Sequence, residues 1–284
     1  MTTVAPTDTF SIGGDLPVHR LGYGAMQLPG PGVWGEPADP DNARRVLRAA
    51  VEQGVDFIDT ADSYGPVVSE QLIAEALHPY PEGLVIATKA GLTRQGPGIW
   101  TPVGRPAYLK QQVELSLRTL RLERIDLIQL HRIDAEVPLA DQLGAFKELQ
   151  DEGKVRHIGV SEVSVAELEQ ARRIVDVVSV QNLYNLTNRQ SQDVLDHATE
   201  HGIGFIPWFP IATGDLAAPD SPVADIAREL DATPSQVALA WLLHTSPVVL
   251  PIPGTKSLEH LAENLGAAQL RLSGEDMARL DALA

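Results

Sequence analysis

Eight short apolar or β-branched runs alternate along this chain with longer stretches of helical spacing, and no other feature of the sequence restricts the fold as strongly. The runs span residues 20–26 (RLGYGAM), 56–61 (DFIDTA), 84–89 (LVIATK), 125–131 (IDLIQLH), 155–161 (VRHIGVS), 177–182 (VVSVQN), 204–209 (GFIPWF) and 248–254 (VVLPIPG). Helical spacing covers 41–53, 69–77, 106–120, 139–151, 165–173, 189–201, 234–244 and 258–268. Asp41 and Ser164 stand as N-cap candidates, with Gly54, Gly153 and Gly202 as stops. Near-continuous apolar strands separated by helices imply a parallel sheet covered by helices. Eight such units imply a closed (β/α)8 barrel of the TIM type, for which about 250 residues is typical. Two additions lie outside the units. One is an N-terminal β-hairpin, FSI and LPVHR around Gly13-Gly14-Asp15, expected to plug the barrel bottom; the other is an extra C-terminal helix opened by Ser273. No linker composition divides the chain, so residues 1–284 are expected to form a single domain.

Composition removes whole classes of chemistry. The chain has no cysteine, which excludes disulfides, thiolate nucleophiles and iron–sulfur clusters. Its 22 Lys+Arg against 38 Asp+Glu give a net charge of −16, spread along the chain, which argues against a nucleic-acid partner. The N-terminus lacks a basic start followed by an apolar stretch, and runs such as 237–243 fall short of the ~20 residues of a membrane helix. A cytoplasmic monomer is the expectation.

In such a barrel the carboxyl ends of the strands and the loops after them build the site. Asp59, Tyr64, Lys89 and His131 all fall there. Taken singly, each has an ordinary structural explanation, a turn cap, a rim aromatic, a solvated cation or a core histidine; their convergence makes a chemical device. A tyrosine, with a reference pKa of about 10, is a poor acid at neutral pH, but an ammonium ion about 4 Å away lowers that value. Lys89 can supply the ammonium, and Asp59 can keep a buried lysine charged. His131 can hydrogen-bond the same substrate oxygen. An acid poised in this way protonates a carbonyl oxygen as negative charge develops on it.

Asp59-Thr60-Ala61-Asp62-Ser63-Tyr64, Ala87-Thr88-Lys89 and Leu130-His131 resemble the tetrad motifs of the aldo-keto reductase family. The resemblance continues through GVS (159–161), VQNLYN (180–185), TPSQVALAWLL (233–243) and IPIPGTKSLEHLAEN (250–264), in order and over nearly the whole chain. It implies a (β/α)8 barrel that binds NAD(P)H without a Rossmann domain and reduces an aldehyde or ketone to an alcohol. On that likeness Tyr64 is the general acid, Lys89 and Asp59 tune it, and His131 orients the carbonyl.

The cofactor expectations are more detailed. Gly22-Tyr23-Gly24 is not followed by a third glycine in the dinucleotide spacing. Gly254-Thr255-Lys256-Ser257 stands where barrels bind phosphate, although a glycine turn with a serine cap reads equally well. The resemblance implies that Lys256 and Ser257 meet an adenosine 2′-phosphate and that Glu263 and Asn264 meet adenine. Three positions depart from the family pattern. His260 replaces an arginine common in NADPH-specific members, so NADPH is expected with NADH as the alternative. Glu162 replaces the asparagine of a Ser-Asn pair, so Ser161 and Gln181 carry more of the carboxamide contact. Trp208 replaces the tyrosine that stacks on nicotinamide.

Trp34 and Trp100, in loops after the first and third strands, are the substrate-pocket candidates. The opening RLGYGAMQLPGPGVWGEP with LHRID resembles a bacterial subgroup of the family that includes a pyridoxal reductase, which makes pyridoxal or another aromatic aldehyde the leading substrate. The alternative is an NADPH-binding sensing subunit with little turnover. A zinc hydrolase on His197-Ala198-Thr199-Glu200-His201 is disfavoured, because that helix belongs to the outer ring and no third ligand follows in sequence, so no metal centre is expected. GVSEV lacks the second glycine of a serine-hydrolase elbow.

Overall fold

A computed structural model describes residues 8–211 and 221–283. Strands β1 (Thr9–Ile12) and β2 (Leu16–His19) form an antiparallel hairpin whose turn uses Gly13 and Gly14 at φ 62° and 83°. The parallel sheet then takes β3 (Tyr23–Gly24), β4 (Phe57–Asp59), β5 (Val85–Ala90), β8 (Ile125–Leu130), β9 (Val155–Ser161), β10 (Val177–Leu183) and β11 (Gly204–Trp208) side by side. Between them run α1 (Pro40–Glu52), α2 (Val68–Leu77), α3 (Pro106–Leu120), α4 (Leu139–Asp151), α5 (Val165–Arg172) and α6 (Gln192–His201). After β11 come α7 (Pro222–Glu229), α8 (Pro234–Thr245), α9 (Leu258–Gly266) and α10 (Gly274–Asp281).

The eighth run, expected as a strand over 248–254, is not a regular strand; it nonetheless closes the barrel. Phe205 N donates to Val248 O (2.8 Å) and Leu250 N to Phe205 O (2.8 Å), while on the other side Gly22 N donates to Pro251 O (2.9 Å) and Gly24 N to Pro253 O (3.2 Å). Pro251 and Pro253 have no N–H to return, so toward β3 this segment only accepts and the ladder stays one-sided. The seam is tight. A Cβ on Gly24 would meet Ile252 O at 2.4 Å, and one on Gly254 would meet Gly24 O at 2.5 Å. Closure therefore needs glycine on both sides.

The hairpin plugs the bottom as expected. Ile12, Leu16 and Val18 pack with Phe57, Val85, Leu127, Val178, Ile206 and Leu250, residues from near the amino ends of the barrel strands or from the closing segment. A second apolar cluster fills the layer between sheet and helices, with Leu47, Ile73, Phe146 and Trp241 fully buried. Helix ends follow capping chemistry, with some displacements from expectation. Asp39, not Asp41, caps α1, since Pro40 takes the first helical position and Asp39 accepts from Asn42 N. Ser164 and Ser273 make full capping boxes with Glu167 and Asp276. α6 starts at Gln192 rather than 189, because Asn185 folds the preceding segment into a turn through bonds from Thr187 and Asn188. α9 ends at Gly266 and passes into a 3-10 turn over Ala267–Gln269, two residues before the expected end. The first run shortens to β3 and a 3-10 turn over Ala25–Gln27. Two features were not expected. Helix α7 is capped by Ser221, which precedes Pro222, and β6 (Leu92–Thr93) pairs with β7 (Thr101–Pro102) to make a small hairpin in the loop after β5.

Candidate active site

Strand polarity brings the four sequence candidates together. Asp59 ends β4, Tyr64 lies five residues on in the loop after it, Lys89 sits near the end of β5, and His131 follows β8. All four are buried, Lys89 completely. Its Nζ donates to Asp59 Oδ1 (2.6 Å), to Thr60 O (2.7 Å) and to Tyr64 Oη (3.3 Å), so the ammonium's three donors are spent on these three oxygens. Asp59 Oδ2 accepts from Gln129 (3.1 Å) and Gln181 (2.9 Å). A buried ion pair repays its desolvation only when the remaining lone pairs are satisfied in this way.

Burial penalises the Lys89 ammonium, but Asp59 and the bonds to Asp59 and Tyr64 outweigh it and lift its pKa above the lysine value. For Tyr64 the expected lowering does not win. Burial raises the phenol, Lys89 opposes, Asp59 adds to the rise, and the net lies above the ordinary tyrosine value. Burial is the largest influence, and Asp59, by answering part of the lysine's charge, adds to it. His131 is driven well below the histidine value by burial, then by Lys89, Arg132 and Arg94, and is a neutral imidazole at neutral pH. Its Nδ1 lies 3.3 Å from Ser63 Oγ, and its ring meets Tyr64 edge-on at 5.8 Å.

Two of the four, Asp59 and Tyr64, line a cavity of about 400 Å³, a normal size for a ligand site, and Lys89 and His131 reach it through their contacts with Tyr64. Asp59, Tyr64, Gln181 and Trp208 line one part, and Gly254, Thr255, His260, Glu263 and Asn264 another. The sequence reading did not single out Gln27, Phe209, Ile211 or Ser235, which also line it. Residues 212–220, after β11, lie outside the described residues. Ser257 Oγ accepts from His260 N and caps α9, so the capping reading of this serine holds whatever else it does. Lys256 Nζ donates across the seam to Pro29 O (3.1 Å).

Glu162 is placed differently from the expectation of a carboxamide contact alone. In the left-handed region at φ 55°, its Oε1 accepts from Leu183 N (2.7 Å) and Trp208 Nε1 (2.6 Å), tying the ends of β10 and β11 to the residue after β9. The indole is therefore fixed by the carboxylate that replaced asparagine. Gln181 likewise gives its amide nitrogen to Asp59. Ser161 Oγ accepts from Arg132 (3.2 Å), a cation whose only sequence signal was its place directly after His131.

Trp100 meets Tyr64 (6.2 Å) and His131 (6.3 Å) edge-on, at the tetrad. Trp34 pairs by a bridge with Gly65, one residue past Tyr64. Both lie under Arg94, whose guanidinium is 3.5 Å from the Trp100 ring and 5.7 Å from that of Trp34. Arg94 also donates at 2.8 Å to the carbonyls of Gly32, Val33, Ser63 and Ile99, so one side chain staples three loops of the mouth. No residue pattern announced that role.

The sequence pattern of the aldo/keto reductase family matches residues 20–284. The chain belongs to the aldo/keto reductase family. It is 44% identical to pyridoxine 4-dehydrogenase of Escherichia coli over 283 residues, 98% of each chain. It is 50% identical over 268 residues, 94% of this chain and 87% of the other, to an uncharacterized oxidoreductase of Schizosaccharomyces pombe. Among solved structures, an aldo/keto reductase from Klebsiella pneumoniae in complex with NADP and acetate superposes with a TM-score of 0.84 at 27% identity, covering 97% of this chain and 95% of that one. Membership accounts for the barrel. No helix among the described residues is long and apolar enough to cross a membrane.

Proposed function

We propose that this chain is an NAD(P)H-dependent reductase that converts an aldehyde to an alcohol, with pyridoxal or another aromatic aldehyde as the leading substrate. The observation that carries the reading is Lys89 Nζ bridging Asp59 Oδ1 and Tyr64 Oη beside the cavity. The cavity suits a dinucleotide: it runs from Tyr64 to Asn264, and the capped start of α9 offers amide N–H groups. Gln181, Trp208, Thr255, His260, Glu263 and Asn264 line it and would hold the cofactor, with Glu162 behind the indole, Ser161 at the end of β9 and Lys256 and Ser257 beside the seam. Bound there, the cofactor supplies hydride to the carbonyl carbon.

Tyr64 gives its Oη proton to the carbonyl oxygen as negative charge develops on it, and Lys89 stabilises the resulting phenolate. His131, neutral and buried, hydrogen-bonds the same oxygen and orients the carbonyl. Trp100, flat against Arg94 and edge-on to Tyr64, offers an aromatic wall to a planar substrate. The name of the E. coli relative specifies oxidation of an alcohol on a pyridine ring, the reverse of the same alcohol–aldehyde couple. The chain is read as one domain acting as a monomer in the cytoplasm.

The test is cofactor consumption with NADPH and NADH against a panel of aldehydes and ketones that includes pyridoxal. Turnover that drops by about 10²–10⁴ in Tyr64→Phe, with cofactor affinity unchanged, is expected. Cofactor binding without turnover of any carbonyl would overturn the reductase reading in favour of a sensing subunit.

A further inference from the structure

His197-Ala198-Thr199-Glu200-His201 plays no part in the proposed reaction; it sits on α6, at the end of the barrel away from the cavity, and none of its residues lines that cavity. Sequence alone offers two ligands one helical turn apart and no third. The fold supplies the third from the neighbouring helix: Glu169, on α5, places Oε1 2.8 Å from His197 Nε2. The two imidazoles stack with centroids 4.2 Å apart at 28°. His201 Nδ1 lies 2.9 Å from the carbonyl oxygen of His197, and only an N–H can make that bond. Its proton is therefore on Nδ1, which leaves Nε2 of the neutral ring as a bare lone pair. A backbone carbonyl fixing the tautomer from behind is the usual support of a metal-binding histidine.

One candidate ligand atom from each of Glu169, His197 and His201 lies within 4.8 Å of the others. Two ligands of a zinc ion, each at about 2.0–2.1 Å, stand no more than about 4.2 Å apart, so the set closes when the two rings turn out of their stack to aim both nitrogens at one point. We infer that Glu169, His197 and His201 form a binding site for a zinc-type divalent cation that clips α5 to α6 on the outer ring of the barrel. Two imidazole nitrogens and a carboxylate are the donors such an ion takes, and water completes the shell. Glu200, the acid within the sequence motif, is not one of them.

Two things compete for the seat. One is the proton that His197 Nε2 donates to Glu169 Oε1, which the metal must displace. The other is the Arg172 guanidinium, which donates to Glu169 Oε1 and lies 3.3 Å from His197 Nε2. Its long, partly exposed side chain can swing out, so binding exchanges one cation for another and is weaker than at a site without that competitor. The acidic character of the whole chain favours the exchange.

The test is equilibrium dialysis of the chelator-treated full chain against zinc chloride, with a thermal melt on the same samples. One ion per chain and a raised Tm are expected. His201→Ala and His197→Ala should each weaken binding by about tenfold or more, and Arg172→Met should tighten it by a similar factor. Carbonyl turnover, if present, should not change when one equivalent of zinc is added. Absence of uptake at millimolar zinc, or uptake that survives both histidine variants, overturns the site. Since His201 is exposed and Arg172→Met leaves all three ligands in place, a folding failure of His197→Ala would not shield the inference. Binding is read without turnover, so the result stands apart from the fate of the reductase reading.

Discussion

Lys89 and Tyr64 share one hydrogen bond, yet their charges are held by different means. Lys89 stays an ammonium because Asp59 is 2.6 Å away, and Tyr64 stays a phenol because burial defeats the lysine's pull. The pH dependence follows with its sign. Reduction needs the protonated phenol, and both raised values keep phenol and ammonium intact beyond the ordinary tyrosine range near 10, while His131 is already neutral at its ordinary value near 6.5. The reductive kcat should therefore be flat across neutral pH and fall only on the alkaline side, whereas oxidation should rise with pH; an acidic limb near 6.5 in the reductive profile would contradict a neutral His131. Glu162 is the second residue-scale case. Glu162→Gln keeps an oxygen for Leu183 N and Trp208 Nε1, but Glu162→Ala frees the indole. Calorimetric titration should show cofactor affinity near wild type in the first and weaker by about tenfold or more in the second, the worth of a hydrogen bond to a charged acceptor.

At the scale of elements, α2 is fastened to β5 by a group the proposed chemistry does not use. Glu70, buried on α2, accepts from Thr88 Oγ1 on β5 at 2.6 Å. Burial drives its carboxyl from an ordinary 4.5 up to about 7, with the Thr88 bond working against the rise. Asp62, also buried and facing Glu70, is raised well above its ordinary value by burial and by Glu70 itself. A carboxyl whose folded value is raised binds its proton more tightly in the folded chain, so stability falls as pH rises from the unfolded value toward the folded one. Glu70→Gln removes that loss. Urea denaturation should give it little advantage at pH 5 and an advantage of up to about 3 kcal/mol at pH 8. The same scale explains where sequence reading failed. The run over 248–254 alternates proline with apolar residues, and its periodicity could not reveal that the missing donors would be tolerated at a closing seam that only accepts toward β3.

Across the whole molecule, binding and chemistry are separable because the cavity is assembled from both sides of the barrel while the acid and its partners come from β4, β5 and β8. A cofactor at a hundredfold its Kd stabilises by about 2.7 kcal/mol, a Tm rise on the order of 5 °C for a chain of this size. Thermal melts should show that rise equally in the parent chain and in Tyr64→Phe. The alternation of the first seven strands and six helices, the plugging hairpin and the convergence of Asp59, Tyr64, Lys89 and His131 were legible in the sequence, because periodicity and strand polarity are local properties that the barrel carries into space. What tertiary structure alone decided was partnership between distant residues. Examples are Arg94 over two tryptophans, Glu162 on Trp208, Arg132 on Ser161, Glu169 beside two histidines, and the balance of burial against charge at Tyr64. Each depends on distances between segments far apart in the chain, and desolvation, the largest influence on the buried acid, exists only once the core has closed around it.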